Sequence, residues 1–272
     1  MMETLIQMFS YDFMCRALWG VLLMMPLFSL LGTLVVNNGM AFFSDALGHS
    51  ALTGAAIGVL FGFSDPSPVM LVFAVVFALL MNAIRHSRVS STDTIIGVFA
   101  SCGLALGLVL LSKNKGFSGY QGLLIGDILS VTATQLWMLL GALIAVVIVW
   151  LLCFNGFFAV SLSPSLAKSK GLATVWLDNL FVVVMAVVVM LSVRLVGLLL
   201  INAMLILPAA ASRNVAKGLR SYVWLTVLFS LFSGLLGLTL SYLNAIAAGP
   251  TIVLVCAAVF FGTFFIARRE KG

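Results

Sequence analysis

The chain has 272 residues, of which 63% are hydrophobic and 8% charged, with a formal net charge of +6 and a mean hydropathy of +1.24. Ordinary soluble proteins carry about 25% charged residues, so this composition excludes a soluble enzyme or a nucleic-acid-binding domain and requires a polytopic membrane protein. The excess positive charge sits in short clusters between apolar runs, a pattern that orients a chain in a membrane rather than gripping a polyanion.

A spanning helix needs about 20 apolar residues. On that length the runs are Phe13 to Val36, Met40 to Gly62, Val69 to Ile84, Thr94 to Leu111, Thr134 to Phe154, Trp176 to Val193, Leu195 to Ala211, Val223 to Leu243 and Thr251 to Ile266. These predict an all-α, polytopic bundle of about 8–9 transmembrane helices forming one membrane domain over residues 1–272. The first run follows METLIQMFSYDFMCRALWG, which lacks a basic region and a small-residue cleavage site, so it is expected to stay attached as a helix. Arg85/Arg88, Lys168/Lys170, Arg213/Lys217/Arg220 and Arg268/Arg269/Lys271 fall on one side, which the positive-inside rule makes cytoplasmic together with the C-terminus. Asp65, its turn at Pro66 and Pro68, and the neutral stretch Asn244 to Pro250 fall outside, with Lys113 and Lys115 as the exception. Between Trp176 and Ala211 the apolar runs are separated only by SVRLVG, and the second ends at Pro208. This is either a broken helix lining a transport path or a tight hairpin whose Arg194 reaches the surface. Cys15, Cys102, Cys153 and Cys256 are scattered singly and read as small buried hydrophobes.

Within MAFFSDALGHSALTGAAIGVLFG, Asp45 and His49 stand four residues apart and share a helix face, offering an oxygen and a nitrogen to one small cation. Both donor types suit zinc, manganese or iron(II). Ionisable groups at mid-membrane cost about 2.5–3.5 kcal/mol each on insertion scales, so they mark function. Thr53 continues the polar stripe, and Ser50, Gly54, Gly58 and Gly62 form a small-residue stripe that admits a neighbouring helix. The competing reading has Asp45 serving the helix start and His49 hydrogen-bonded inside the bundle. If the helix starts at Met40, Asp45 lies about 5–8 Å in from that end. Asn202 and Pro208 are candidate path-lining residues with Thr53.

Asp93 is expected to cap a helix, Asp127 to sit in a loop or short helix, and His86 to be a solvated loop residue. Ser163 before Pro164, with Gly171 as a stop, predicts a short amphipathic helix within residues 163–172, suited to receive force from a soluble motor. The chain has no G-x-x-x-x-G-K-[ST], H-E-x-x-H or G-x-S-x-G motif, so catalysis by it is not expected.

Several stretches resemble the permease subunits of the ABC-3 family of zinc, manganese and iron importers. FFSDALGHSALTGAAIG is similar to G-D-[AT]-[LI]-[SA]-H-[AS]-x-L-x-G, TDTIIGVFASCGLALGLVLLS to the D-T-x-I-G-[IL] helix, and LLIGDILSVT to the F-G-[ND]-[IL]-L-x-V turn. SPSLAKSKGL resembles D-P-x-x-A-x-x-x-G-[IV], VGLLLINAMLILPAAASR resembles V-G-x-L-L-x-x-A-L-L-I-x-P-A-A-x-A, and LSYLNAIAAGPTIVL resembles the closing G-P segment. The resemblance implies a vitamin-B12-importer-like permease fold in the bacterial inner membrane. It also implies a homodimer, a cytoplasmic ABC ATPase dimer, an extracytoplasmic metal-binding protein and membrane lipid as partners, with no nucleic acid. It carries ion contact onto Asp45 and His49, and ATPase contact onto Pro164, Leu166, Ala167 and Gly171. The transported ion, zinc or manganese with iron as a further candidate, would be cargo, and no permanent cofactor is expected. Ser44 and Gly48 depart from the family pattern beside the ion residues. Ser165 and Lys170 replace acidic residues common in the coupling segment, which implies an ATPase surface of matching charge. The alternative function is a secondary metal transporter driven by an ion gradient, with Asp45 as its proton-coupling carboxylate.

Overall fold

In the computed structural model, which describes residues 11–87, 89–112 and 126–271, every regular element is helical. Among the described residues the helices are α1 (Asp12–Asn37), α2 (Phe43–Leu60), α3 (Ser67–His86), α4 (Thr92–Ser112), α5 (Ala133–Leu162), α6 (Pro164–Ser169), α7 (Thr174–Val196), α8 (Leu198–Val215), α9 (Leu219–Asn244) and α10 (Ala248–Lys271), with a 3-10 turn at Ile128–Ser130. Seven of them, α1, α3, α4, α5, α7, α9 and α10, are long and apolar enough to cross a membrane. Arg88, Lys113 and Lys115 lie outside the described residues.

The expected runs reappear with shifted ends. Met40 is not helical: the chain turns at Gly39 to Phe42 and α2 begins at Phe43. The run expected to end at Phe154 continues to Leu162, because Asn155 and Gly156 do not interrupt it. Gly156 instead lies against Leu177, where an added Cβ would meet Leu177 Cδ1 at 3.0 Å. Arg194 belongs to the last turn of α7. The interruption comes at Gly197, whose φ of 85° and ψ of 153° are strained for any residue with a Cβ, and α8 starts at the next residue.

The chain divides into two compact units, one of residues 37–125 and 149–202, the other containing α1, residues 126–148 and residues 203 onward. In the first unit α2 is enclosed by α3, α4 and α7, which explains how a helix too polar to face lipid is accommodated. Its small residues allow the approach. A Cβ on Gly54 would stand 2.7 Å from the Met70 Cα, and one on Gly58 2.9 Å from the Pro66 Cβ. On the α4 side, a Cβ on Gly107 would stand 3.0 Å from the Thr53 amide nitrogen. With lipid outside, such packing rather than apolar burial holds helices together.

The second unit uses hydroxyls as well as small residues. Ser230 Oγ donates to the Met25 carbonyl at 3.1 Å, Ser29 Oγ to the same carbonyl at 2.7 Å, and Tyr222 OH to the Thr33 carbonyl at 3.4 Å. The Ser230 and Tyr222 bonds bring α9 onto α1, and a Cβ on Gly237 would lie 2.6 Å from Ile252 Cα, so α9 and α10 meet backbone to backbone.

Candidate functional site

Asp45 lies in the first turn of α2, where a negative charge is favoured by the unpaired amides and the helix dipole. No side-chain hydrogen bond caps this helix. The carboxylate faces its i+4 neighbour instead, Asp45 Oδ2 lying 3.5 Å from His49 Nε2, with the side chains 34% and 19% exposed. That spacing is too long for a good hydrogen bond. His49 Nδ1 is buried and has no hydrogen-bond partner. A buried imidazole nitrogen without a partner is costly in a core.

The turn carrying this pair is fixed from α8. Ser44 Oγ donates to Asn202 Oδ1 at 2.6 Å. A Cβ on Gly48 would meet Leu198 Cγ at 3.1 Å. Ser44 and Gly48, the two departures from the family pattern, are therefore the residues on which Asn202 and Leu198 rest, one helical turn apart on both helices. Asn202 is thus brought beside the Asp45 turn. Thr53, by contrast, is 2% exposed and spends its hydroxyl on the Gly103 carbonyl, holding α2 to α4. Pro208 is buried within α8, in the stretch belonging to the second unit. Among the described residues no group of three or more His, Cys, Asp or Glu converges on one point.

Residues 163–171 fold as the sequence predicts. The Ser163 hydroxyl accepts from the Leu166 amide, Pro164 opens α6, and Gly171 reverses the chain at φ 77°. Leu166 is 59% exposed and Ala167 1%, so Leu166 offers a contact outward while Ala167 seats the helix on its own unit.

Of three further acidic or basic residues, Asp93 and His86 differ from their sequence reading, whereas Asp127 sits at a short helix as expected. Asp93 does not cap α4: the Ser91 hydroxyl accepts from the Thr94 amide at 3.2 Å, and Asp93 sits within the first turn. Asp127 caps the 3-10 turn, accepting from the Leu129 amide at 3.0 Å. His86 is not a solvated loop residue; it ends α3 with Nε2 3.0 Å from Asp178 Oδ2. The same carboxylate oxygen receives Arg85 Nη2 at 3.2 Å. Asp178 had no signal in the sequence, since its partner Arg85 is 93 residues away.

A bundle of long apolar helices enclosing a carboxylate–imidazole pair, with a short capped helix between two spans, defines a multi-pass membrane protein of the permease class. The chain belongs to the ABC 3 transport family, whose sequence model matches residues 10–267. It is 30% identical to the manganese import system permease protein ScaB of Streptococcus gordonii, over 96% of this chain and 94% of that protein. It is 32% identical to the high-affinity zinc uptake system membrane protein ZnuB of Haemophilus influenzae, over 89% of this chain and 92% of that protein. A chain of the solved structure of PsaBC from Streptococcus pneumoniae in complex with Fab is 29% identical and superimposes with a TM-score of 0.85, covering 99% of this chain and 97% of that one.

Proposed function

We propose that the chain is the permease subunit of an ATP-driven importer for divalent metal ions, zinc or manganese, with iron as a further candidate. It works as a homodimer in the bacterial inner membrane with its C-terminus cytoplasmic, and a cytoplasmic ABC ATPase dimer supplies the energy. An extracytoplasmic metal-binding protein delivers the ion. Membership of the family and the manganese and zinc roles named for its relatives support this reading. The observation that carries it is the pairing of Asp45 with an imidazole whose Nδ1 is buried and unpartnered.

A released ion meets the Asp45 carboxylate and a His49 nitrogen together. Two protein donors leave the coordination sphere incomplete, so water or further groups complete it and the ion remains releasable. The site lies at the positive end of the α2 dipole, which stabilises the empty carboxylate and opposes the cation by roughly 0.3–1 kcal/mol. Both effects favour transit over storage. ATP binding and hydrolysis in the partner displace the segment from Pro164 to Gly171, with Leu166 as the exposed contact, and shift the permease between inward and outward access.

The test is uptake of radiolabelled manganese or zinc into proteoliposomes holding the permease, its ATPase and the binding protein. Asp45→Asn and His49→Ala should each abolish uptake while the complex still assembles. Uptake that persists in both variants contradicts the ligand assignment. Uptake by the permease without its ATPase would instead make the chain a gradient-driven carrier.

A further inference from the structure

Helices α3 and α7 run antiparallel and are tied at both ends. At one end Arg194 Nη2 lies 2.8 Å from Asp65 Oδ1. At the other, Asp178 holds Arg85 and His86, and Asn82 Nδ2 donates to Asn179 Oδ1 at 2.8 Å. Asn82 is fully buried and also accepts from Arg85 Nε at 3.1 Å, while its carbonyl lies 2.8 Å from His86 Nδ1. The side chains of Arg85 and Asp178 are only 14% and 16% exposed. Such a pair is costly to desolvate, and conformational specificity is one recognised return for that cost.

The position of this cluster along the chain suggests what it is for. Asp178 lies in the second turn of α7, directly after α6 and the Gly171 reversal. Arg85 is forked: Nη2 faces Asp178, and Nη1 lies 2.8 Å from Met40 Sδ. Met40 is fully buried, and its carbonyl accepts the amide of Phe43, the first residue of α2, at 3.0 Å. Two residues on is Asp45. A chain of contacts therefore runs from Asp178, in the helix that directly follows the coupling segment, through Arg85 and Met40 to the turn that carries the ion-binding pair. The far end of α7 reaches the same turn through Gly197, Leu198 and Asn202.

We infer that Asp178 is a positioning residue that carries displacement of the coupling segment, through Arg85 and Met40, to Asp45 and His49. Because α3 and α7 are pinned at both ends, movement of α6 shifts the pair as a body rather than bending one helix. The guanidinium–thioether contact is a soft joint that can slide without stranding a charge. The inference rests on the reading that Asp45 and His49 meet the ion.

The experiment measures ions transported per ATP hydrolysed in proteoliposomes containing the full complex, with manganese as probe. Asp178→Asn should lower the maximal uptake rate on the order of tenfold, the scale of an ordinary coupling between sites. ATP hydrolysis and the KM for manganese should stay close to wild type, and Asp178→Glu should recover part of the loss. Met40→Leu keeps core volume while removing the sulfur acceptor, and should lower the ratio less; it decides the matter if Asp178→Asn does not assemble. A wild-type ratio in Met40→Leu, or in Asp178→Asn where that assembles, overturns the relay. Asp45→Asn in the same assay separates the two ideas. Its loss of uptake beside a normal ratio in the relay variants leaves the ion site standing without the relay, whereas its uptake at wild-type rate removes the ion site itself.

Discussion

The two nitrogens of His49 have different surroundings: Nε2 looks toward Asp45 and Nδ1 is buried without a partner. This asymmetry is what the proposed ligand role of His49 rests on, and periodicity could not have revealed it. Spacing alone put Asp45 and His49 on one face, and the structure keeps them there, with Asp45 in the first turn of α2 and no side-chain hydrogen bond capping that helix. A second residue-scale consequence concerns Asp65. Hydrogen bonds from the Ser67 hydroxyl and amide, with Arg194 adding to them against slight burial, hold its carboxyl below the ordinary value of 3.8. A carboxyl depressed on folding adds stability above the unfolded pKa, and that stability is lost as pH falls through the folded value. The pair is well exposed, so its contribution is under about 1 kcal/mol. Asp65→Asn should therefore lower the detergent-solubilised melting temperature slightly at neutral pH, and the difference should shrink below about pH 4. A difference that grows on acidification would contradict this.

At the scale of elements, α2 is the helix whose role depends most on its neighbours. Its glycines make room for α3, and Gly103 and Gly107 of α4 make room for its polar face. Gly107→Val or Gly54→Leu should destabilise the protein by about 1–3 kcal/mol, the usual cost of overpacking, and lower its thermal midpoint. An unchanged midpoint would show that α2 is loosely held. Most elements were legible because apolar runs of spanning length are strong signals, and α6 was legible because Ser163, Pro164 and Gly171 are local punctuation. The run expected to end at Phe154 continues through Asn155 and Gly156, since a helix absorbs such residues where a neighbour needs the space, as Gly156 does with Leu177; the break expected within SVRLVG falls at its Gly197. Asp93 yielded the cap to Ser91 because the hydroxyl, not the carboxylate, stood one residue before the helix.

For the whole molecule, composition alone required a multi-pass helical protein, and the order of short motifs pointed to the family to which the chain belongs. What lay beyond reach were pairings between distant segments. Asp178 with Arg85 and His86, Ser44 with Asn202, and Asp65 with Arg194 join residues far apart in the chain, and each is made of residue types that would look ordinary alone. They tie α7 to α3, and the first turn of α2 to α8. Pulsed electron paramagnetic resonance of manganese(II) bound to the purified complex, without the metal-binding protein, tests the ion site most directly. An ion held by His49 should show a nitrogen coupling from one imidazole that disappears in His49→Ala. A spectrum showing no nitrogen ligand, or one unchanged by His49→Ala, would contradict it.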